Sequence, residues 1–145
     1  MSIPYWLGTA VWAAGLGQIA LVLASPAIPR VLHWREEMAK VGPLTRQIFW
    51  TYAGYIWITN LCFGLLSALA PDLLLDRSPL AGAVSSFMAV YWGARLVIQF
   101  AVLDRSNAPA VWVCRLAEAG LVSLFVFLTL VYCSAAAFNL KGIGP

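Results

Sequence analysis

The stretch LVSLFVFLTLVYCSAAAF, residues 121–138, holds no charged side chain and is built almost entirely of aliphatic, aromatic and small residues. With the segment before it, this stretch makes a hydrophobic run from about Ala110 to Phe138. That exceeds the ~20 apolar residues needed to cross a bilayer. In hydrocarbon an α-helix is the one conformation open to such a segment, because it satisfies its own backbone donors and acceptors without water. Three further runs read the same way: about Tyr5 to Ala24, about Gln47 to Ala70 and about Leu80 to Leu103. Pro26 and Pro29 close the first, and Pro71 with Asp72 closes the second, since proline cannot continue a helix without losing a backbone hydrogen bond.

The composition agrees. Of 145 residues 62% are hydrophobic and 10% charged, whereas a soluble domain carries about 25% charged and 45–50% apolar residues. Disorder, which needs low hydrophobicity, is excluded with it. The sequence predicts an all-α integral membrane four-helix bundle, one domain over residues 1–145, with short connections and no room for a soluble domain. The first run lacks a basic leader and a convincing cleavage site, so it is expected to be a retained helix.

Cys62, Cys114 and Cys133 are odd in number, lie within hydrophobic runs and show no CxxC spacing, which argues against a disulfide framework or a zinc site. The formal net charge is +3, but the basic residues sit between apolar runs and therefore report orientation first. Arg30, Arg35, Lys40 and Arg46 follow the first run, Arg105 follows the third, and Arg115 lies just inside the fourth; the other side holds Arg77 and Lys141. The positive-inside rule then places both termini outside and the two basic connections in the cytoplasm, in a bacterial inner (plasma) membrane. Between the first two runs, Val31, Trp34, Met38 and Val41 recur at helical spacing among Arg30, Arg35, Glu37 and Lys40. This pattern predicts a short interfacial helix over residues 30–41, beginning near Pro29 and ended by Gly42–Pro43. Trp6, Trp34, Trp50 and Trp112 fall near run ends, as in an interfacial belt.

Ionisable residues within membrane runs are costly and face the bundle interior. Arg95 lies nine residues before Asp104, and Glu118 eight after Ala110. Counted from the same end, both stand ~12–13 Å deep on adjacent antiparallel helices, which predicts an ion pair. Gln99, Tyr91, Gln18, Tyr52 and Tyr55 are expected in the same layer, bordered by Trp12, Trp57 and Trp92. Asn60 is assigned to packing. Such a layer reads either as a ligand pocket or as interhelical hydrogen bonding and register fixing. Small residues at spacings of three or four (Ala10, Ala13, Ala14 and Gly17; Gly82, Ser86, Ala89 and Gly93) predict close helix contact.

His33 is the only histidine and cannot build a metal or haem site alone, so no metal is expected and no cofactor is named. No GxGxxG, Walker A, GxSxG or HExxH motif is present, and nothing resembles a nucleic-acid surface. The expected function is a non-enzymatic subunit or accessory protein of a membrane assembly or homo-oligomer, with a polar pocket for a lipid or quinone-like ligand drawn from the membrane. Two alternatives stand beside it. In a membrane enzyme for an amphipathic anionic substrate, Arg95 would hold the anion, Glu118 would act as acid or base, and Tyr52, Tyr55 or Tyr91 would donate a hydrogen bond. In a small proton-coupled transporter, Glu118 would carry the proton.

Overall fold

The computed structural model describes residues 3–101 and 112–143. Leu103, Asp104, Arg105 and Ala110, which entered the depth and charge counts, lie outside the described residues, as does the Cys114 side chain. The described chain is all helix: α1 (Tyr5–Ala24), α2 (Ile28–Val31), α3 (Trp34–Ala39), α4 (Pro43–Leu69), α5 (Pro79–Ala101) and α6 (Trp112–Ile143), with 3-10 turns at Ser25–Ala27 and Pro71–Leu74. Four helical segments, Tyr5–Val31, Pro43–Leu69, Pro79–Ala101 and Arg115–Gly142, are long and apolar enough to cross a membrane.

The prolines act where they cost least. Pro43 opens α4 behind Gly42, a position where the missing N–H would have had no helical partner. Pro26 and Pro29 likewise start the turn Ser25–Ala27 and the helix α2, so they redirect the first run rather than stop it, and its helical path continues to Val31. The expected single interfacial helix over 30–41 is not formed. Leu32 leaves the helical region and His33 takes a left-handed backbone (φ 51°, ψ 33°) before α3 begins. Trp34 explains the break, because its ring packs edge-on against Phe49 of α4 at 5.4 Å, a contact that requires the chain to fold back at His33.

The long helices pack in the order α4, α1, α6, α5, with α1 on α4 and α6, and α5 on α6; α4 and α5 meet through side chains. Backbones approach most closely between α1 and α4. A Cβ on Gly15 would stand 2.4 Å from the backbone nitrogen of Ala68, and one on Gly64 would stand 3.2 Å from that of Ile19. Neither glycine belongs to the small-residue sets read from the sequence, which lie one helix face away or on another helix.

Packing is unequal along the bundle. The buried residues of α1 run from Leu7 to Val22, but those of α4 are Asn60, Gly64 and Ser67, and those of α5 end at Trp92. On α6 the fully buried positions begin at Phe125 and reach Asn139. All of these fall toward one end, called here the Arg77 end. That end is sealed by the α4–α5 connection, whose Leu74 and Leu75 enter the core. Asn139 fastens it: Nδ2 donates to the Leu74 carbonyl at 2.7 Å and to Ser85 Oγ at 3.2 Å, and Oδ1 accepts the Arg77 N–H at 3.1 Å. Arg77, itself left-handed (φ 61°), lays its guanidinium over Phe138 at 4.4 Å. Toward the other end, the His33 end, residues 43–58 of α4 are exposed apart from Phe49 and Ala53, which are half-buried.

These contacts set three outcomes. Gly15→Ala forces a methyl into the α4 backbone and should cost ~3 kcal/mol, read as a fall in detergent melting temperature, whereas Gly54→Ala, with nothing within 4 Å, should be neutral or gain up to ~1 kcal/mol. Asn139→Leu orphans the Arg77 N–H and should cost about 2 kcal/mol, with faster proteolysis in the 70–78 connection. Asp76 accepts the Ser78 N–H at 2.8 Å, and the Ser78 hydroxyl and N–H hold its carboxyl below the ordinary 3.8. This contribution is complete above pH 3.8 and is lost as the pH falls through the lowered folded value; a melting series with and without Asp76→Ala checks the direction.

Candidate functional site

The seven residues read as one layer divide into three groups. Gln18 is fully buried and faces the Gly64 level of α4. Its Nε2 donates to the Ala14 carbonyl at 3.3 Å and to the hydroxyl of Tyr132. Having accepted that bond, the Tyr132 hydroxyl can give its own proton to Ser67 Oγ, 2.7 Å away. This knot ties α1, α4 and α6 inside the packed half. Gln18 therefore lies ~12 Å, two turns, toward the Arg77 end of the level it was expected to share. Depth had been counted from Ala24, whereas the helical path runs on to Val31.

Tyr91 forms the second group with Asn60. Its hydroxyl donates to Asn60 Oδ1 at 2.9 Å, and its ring meets Phe63 and Trp92 edge-on at 5.4 and 5.3 Å. The hydrogen bond and ring contacts between α4 and α5 among the described residues occur here or nearer the Arg77 end, the other being Phe63 on Phe87 at 5.9 Å. This pair marks where the bundle stops being closed.

Tyr52, Tyr55, Arg95, Gln99 and Glu118 make up the third group, beyond that boundary. Counting antiparallel from Asn60 and Tyr91, Ile56 stands level with Arg95 and Tyr52 with Gln99. On α6, Glu118 is level with Gln99, whose amide lies 3.5 Å from its carboxylate. Tyr52, Gln99 and Glu118 thus stand at one level, with Arg95 at least a turn nearer the Arg77 end and Tyr55 between. Tyr52 and Tyr55 are each 65% exposed, and Arg95 is exposed while Gln99 and Glu118 are half-buried, so no enclosed chamber surrounds them.

The expected ion pair between Arg95 and Glu118 is not formed. Arg95 points its guanidinium at the ring of Phe125, 5.7 Å from its centre, and the ion pairs among the described residues are His33 with Glu36 at 3.5 Å and Lys40 with Glu37 at 2.6 Å. The physical reason is register. Gly93 stands opposite Thr129 and Gln99 opposite Glu118, so Arg95 meets Phe125 and Glu118, seven residues before Phe125, lies nearly two turns nearer the His33 end.

Trp57, expected to border the layer, instead donates its indole N–H to the Val22 carbonyl at 3.0 Å, and Trp92 is wholly buried against Phe125. Trp12 is exposed. At the His33 end a separate surface hollow of about 520 Å³ is lined by Pro26, Pro29, Arg30, His33, Arg35, Glu36 and Trp50. Among the described residues no three His, Cys, Asp or Glu side chains gather as a metal ion would require.

Sequence reasoning missed Tyr132, Ser67 and Ser85. A signal existed for the first: a phenol in mid-run must find a partner in hydrocarbon, so Tyr132 called for a polar residue at matching depth. No protein-family model, curated protein or solved structure gives a match to the chain.

The knot generates a direct test. Tyr132→Phe should lower stability in detergent by about 1–2 kcal/mol, within the range for interhelical hydrogen bonds, while Tyr52→Phe on the exposed face should leave the melting temperature unchanged.

Proposed function

We propose that the protein is a small non-enzymatic integral membrane protein, a subunit or accessory component of a membrane assembly or homo-oligomer, whose open half holds a lipid or quinone-like molecule. In this reading it lies in a bacterial inner (plasma) membrane with both termini outside and the His33 end in the cytoplasm, as the distribution of Arg30, Arg35, Lys40 and Arg46 favours.

One observation carries the proposal: the bundle is closed by packing at the Arg77 end and open at the other, and the open half contains a level of polar side chains. A lipid-facing surface needs no polar layer, and a purely structural layer would be tied by bonds across the bundle, as the Tyr132 and Ser67 hydroxyls are. Tyr52, Tyr55 and Arg95 stand exposed instead, near the apolar side chains Ile56 and Ile98. That mixture suits a molecule with a polar head and an apolar body.

Native mass spectrometry after purification in mild detergent tests this. The expected spectrum carries one amphipathic molecule per chain that survives delipidation stripping bulk phospholipid, and that is lost when Ile56 and Ile98 are both replaced by Trp to fill the space. A chain that flies bare, or with a mixture matching the bulk membrane, contradicts the proposal.

A further inference from the structure

Within the open half, Arg95 is the residue whose chemistry is least satisfied. It stands on α5 three residues past Trp92, the last buried position of that helix. A guanidinium in or near hydrocarbon is costly unless it pairs or reaches the headgroups. Among the described residues Arg95 has neither a hydrogen bond nor an ion pair, and its contact is with the Phe125 ring at 5.7 Å, close to the ~6 Å limit at which a cation–π attraction counts.

Two partners lie off the position that the guanidinium takes. Glu118 is engaged by Gln99 and stands nearly two turns from Phe125 along α6. The headgroups at the His33 end lie along α5 past Gln99, whereas the guanidinium sits over the Phe125 ring. Movement the other way is blocked by Trp92 and Phe125, whose rings stack at 5.5 Å and close the core. The guanidinium therefore forms part of the floor of the open half, with a packed aromatic wall behind it and unpacked helix in front.

A planar fork of N–H donors at that place matches a carboxylate or phosphate, which it can grip through two parallel hydrogen bonds. The mouth between α4 and α5 is apolar, where Ile56, one turn before Asn60, and Ile98, two turns past Tyr91, are exposed. The two helices hold no ring or hydrogen-bond contact on that side of Asn60 and Tyr91 among the described residues, so a chain can pass between them to the surrounding lipid.

We infer that Arg95 binds the anionic head, carboxylate or phosphate, of an amphipathic molecule whose apolar tail leaves between α4 and α5. The inference rests on the open-half reading above and narrows it from amphipaths in general to anionic ones. Tyr52 and Tyr55 on the facing helix are the hydroxyls nearest that depth, and Glu118, nearly two turns of α6 from Phe125 toward the His33 end, disfavours a second negative charge there.

Binding to the full chain in phosphatidylcholine nanodiscs tests it, with radiolabelled oleate as the carboxylate probe, phosphatidic acid as the phosphate probe and oleyl alcohol as the uncharged control. Wild type should bind one anion saturably, with oleyl alcohol at least tenfold weaker. Arg95→Met should lose at least tenfold in affinity for the anion, Arg95→Lys should retain part of it, and Lys141→Met at the far end should change nothing. Whichever of oleate and phosphatidic acid displaces the other identifies the preferred head. Should Arg95→Met fail to fold, the lysine variant and the preference for oleate over its alcohol decide alone. Equal binding of oleate and oleyl alcohol, unaffected by Arg95, overturns the anionic site while leaving an amphipath in the open half. Absence of saturable binding by all three probes, with no molecule retained in native mass spectrometry, overturns both.

Discussion

The hydroxyl of Tyr132 is where three of the four long helices meet. It takes a hydrogen bond from Gln18 on α1 and shares another with Ser67 on α4. Polar groups with no water at hand must be paired to one another, and this pairing sets the rotation of α6 and the height of α1 relative to α4. The height is reinforced by Gly15 and Gly64, whose missing side chains let the backbones of α1 and α4 touch. With those fixed, α5 packs onto α6 through Met88, Trp92, Phe125 and Leu128 in one buried cluster, and Asn139 draws the α4–α5 connection over the end.

The same arrangement leaves the other half open. The glycine contacts, the Tyr132 knot, the Asn139 latch and the Tyr91–Asn60 bond lie toward the Arg77 end, whereas in the other half α4 is tied to α1 by Trp57 and α5 to α6 by Gln99 with Glu118. Beyond Tyr91 the chain supplies large exposed side chains on α4, such as Tyr52, Tyr55 and Ile56, rather than small ones that would allow close approach. A bundle built this way is a closed base with a divided mouth, and the mouth contains the charged and phenolic groups. Strength at one end and access at the other is the arrangement a membrane binding site between helices needs.

Much of this could be read from residues alone. The four runs were legible because apolar length is a direct physical requirement of the bilayer. That Tyr52, Tyr55, Arg95, Gln99 and Glu118 fall toward the same end of their helices was legible because the rise of a helix is constant. Gln18 was misplaced because depth was counted from prolines taken as an end, when Pro26 and Pro29 sit at starts of helical turns. The Arg95–Glu118 pair failed by nearly two turns of α6, because the two helices were aligned from their ends rather than from a known contact. Tyr132 was hidden for another reason: in an all-apolar run no periodicity tells which face turns inward. The bend at His33 depends on Trp34 meeting Phe49, a contact between distant parts that local spacing does not encode.

Site-specific photocrosslinking in intact membranes tests the central claim most directly. Benzoylphenylalanine placed at Ile56 and at Ile98 reports on the open half, and at Leu65, exposed on α4 nearer the packed end, it reports on the outer surface. The account predicts that positions 56 and 98 capture the same amphipathic molecule in both cases, enriched well above its share of the membrane, while position 65 captures bulk phospholipid. Adducts at all three positions with one common composition, that of the bulk bilayer, would contradict it.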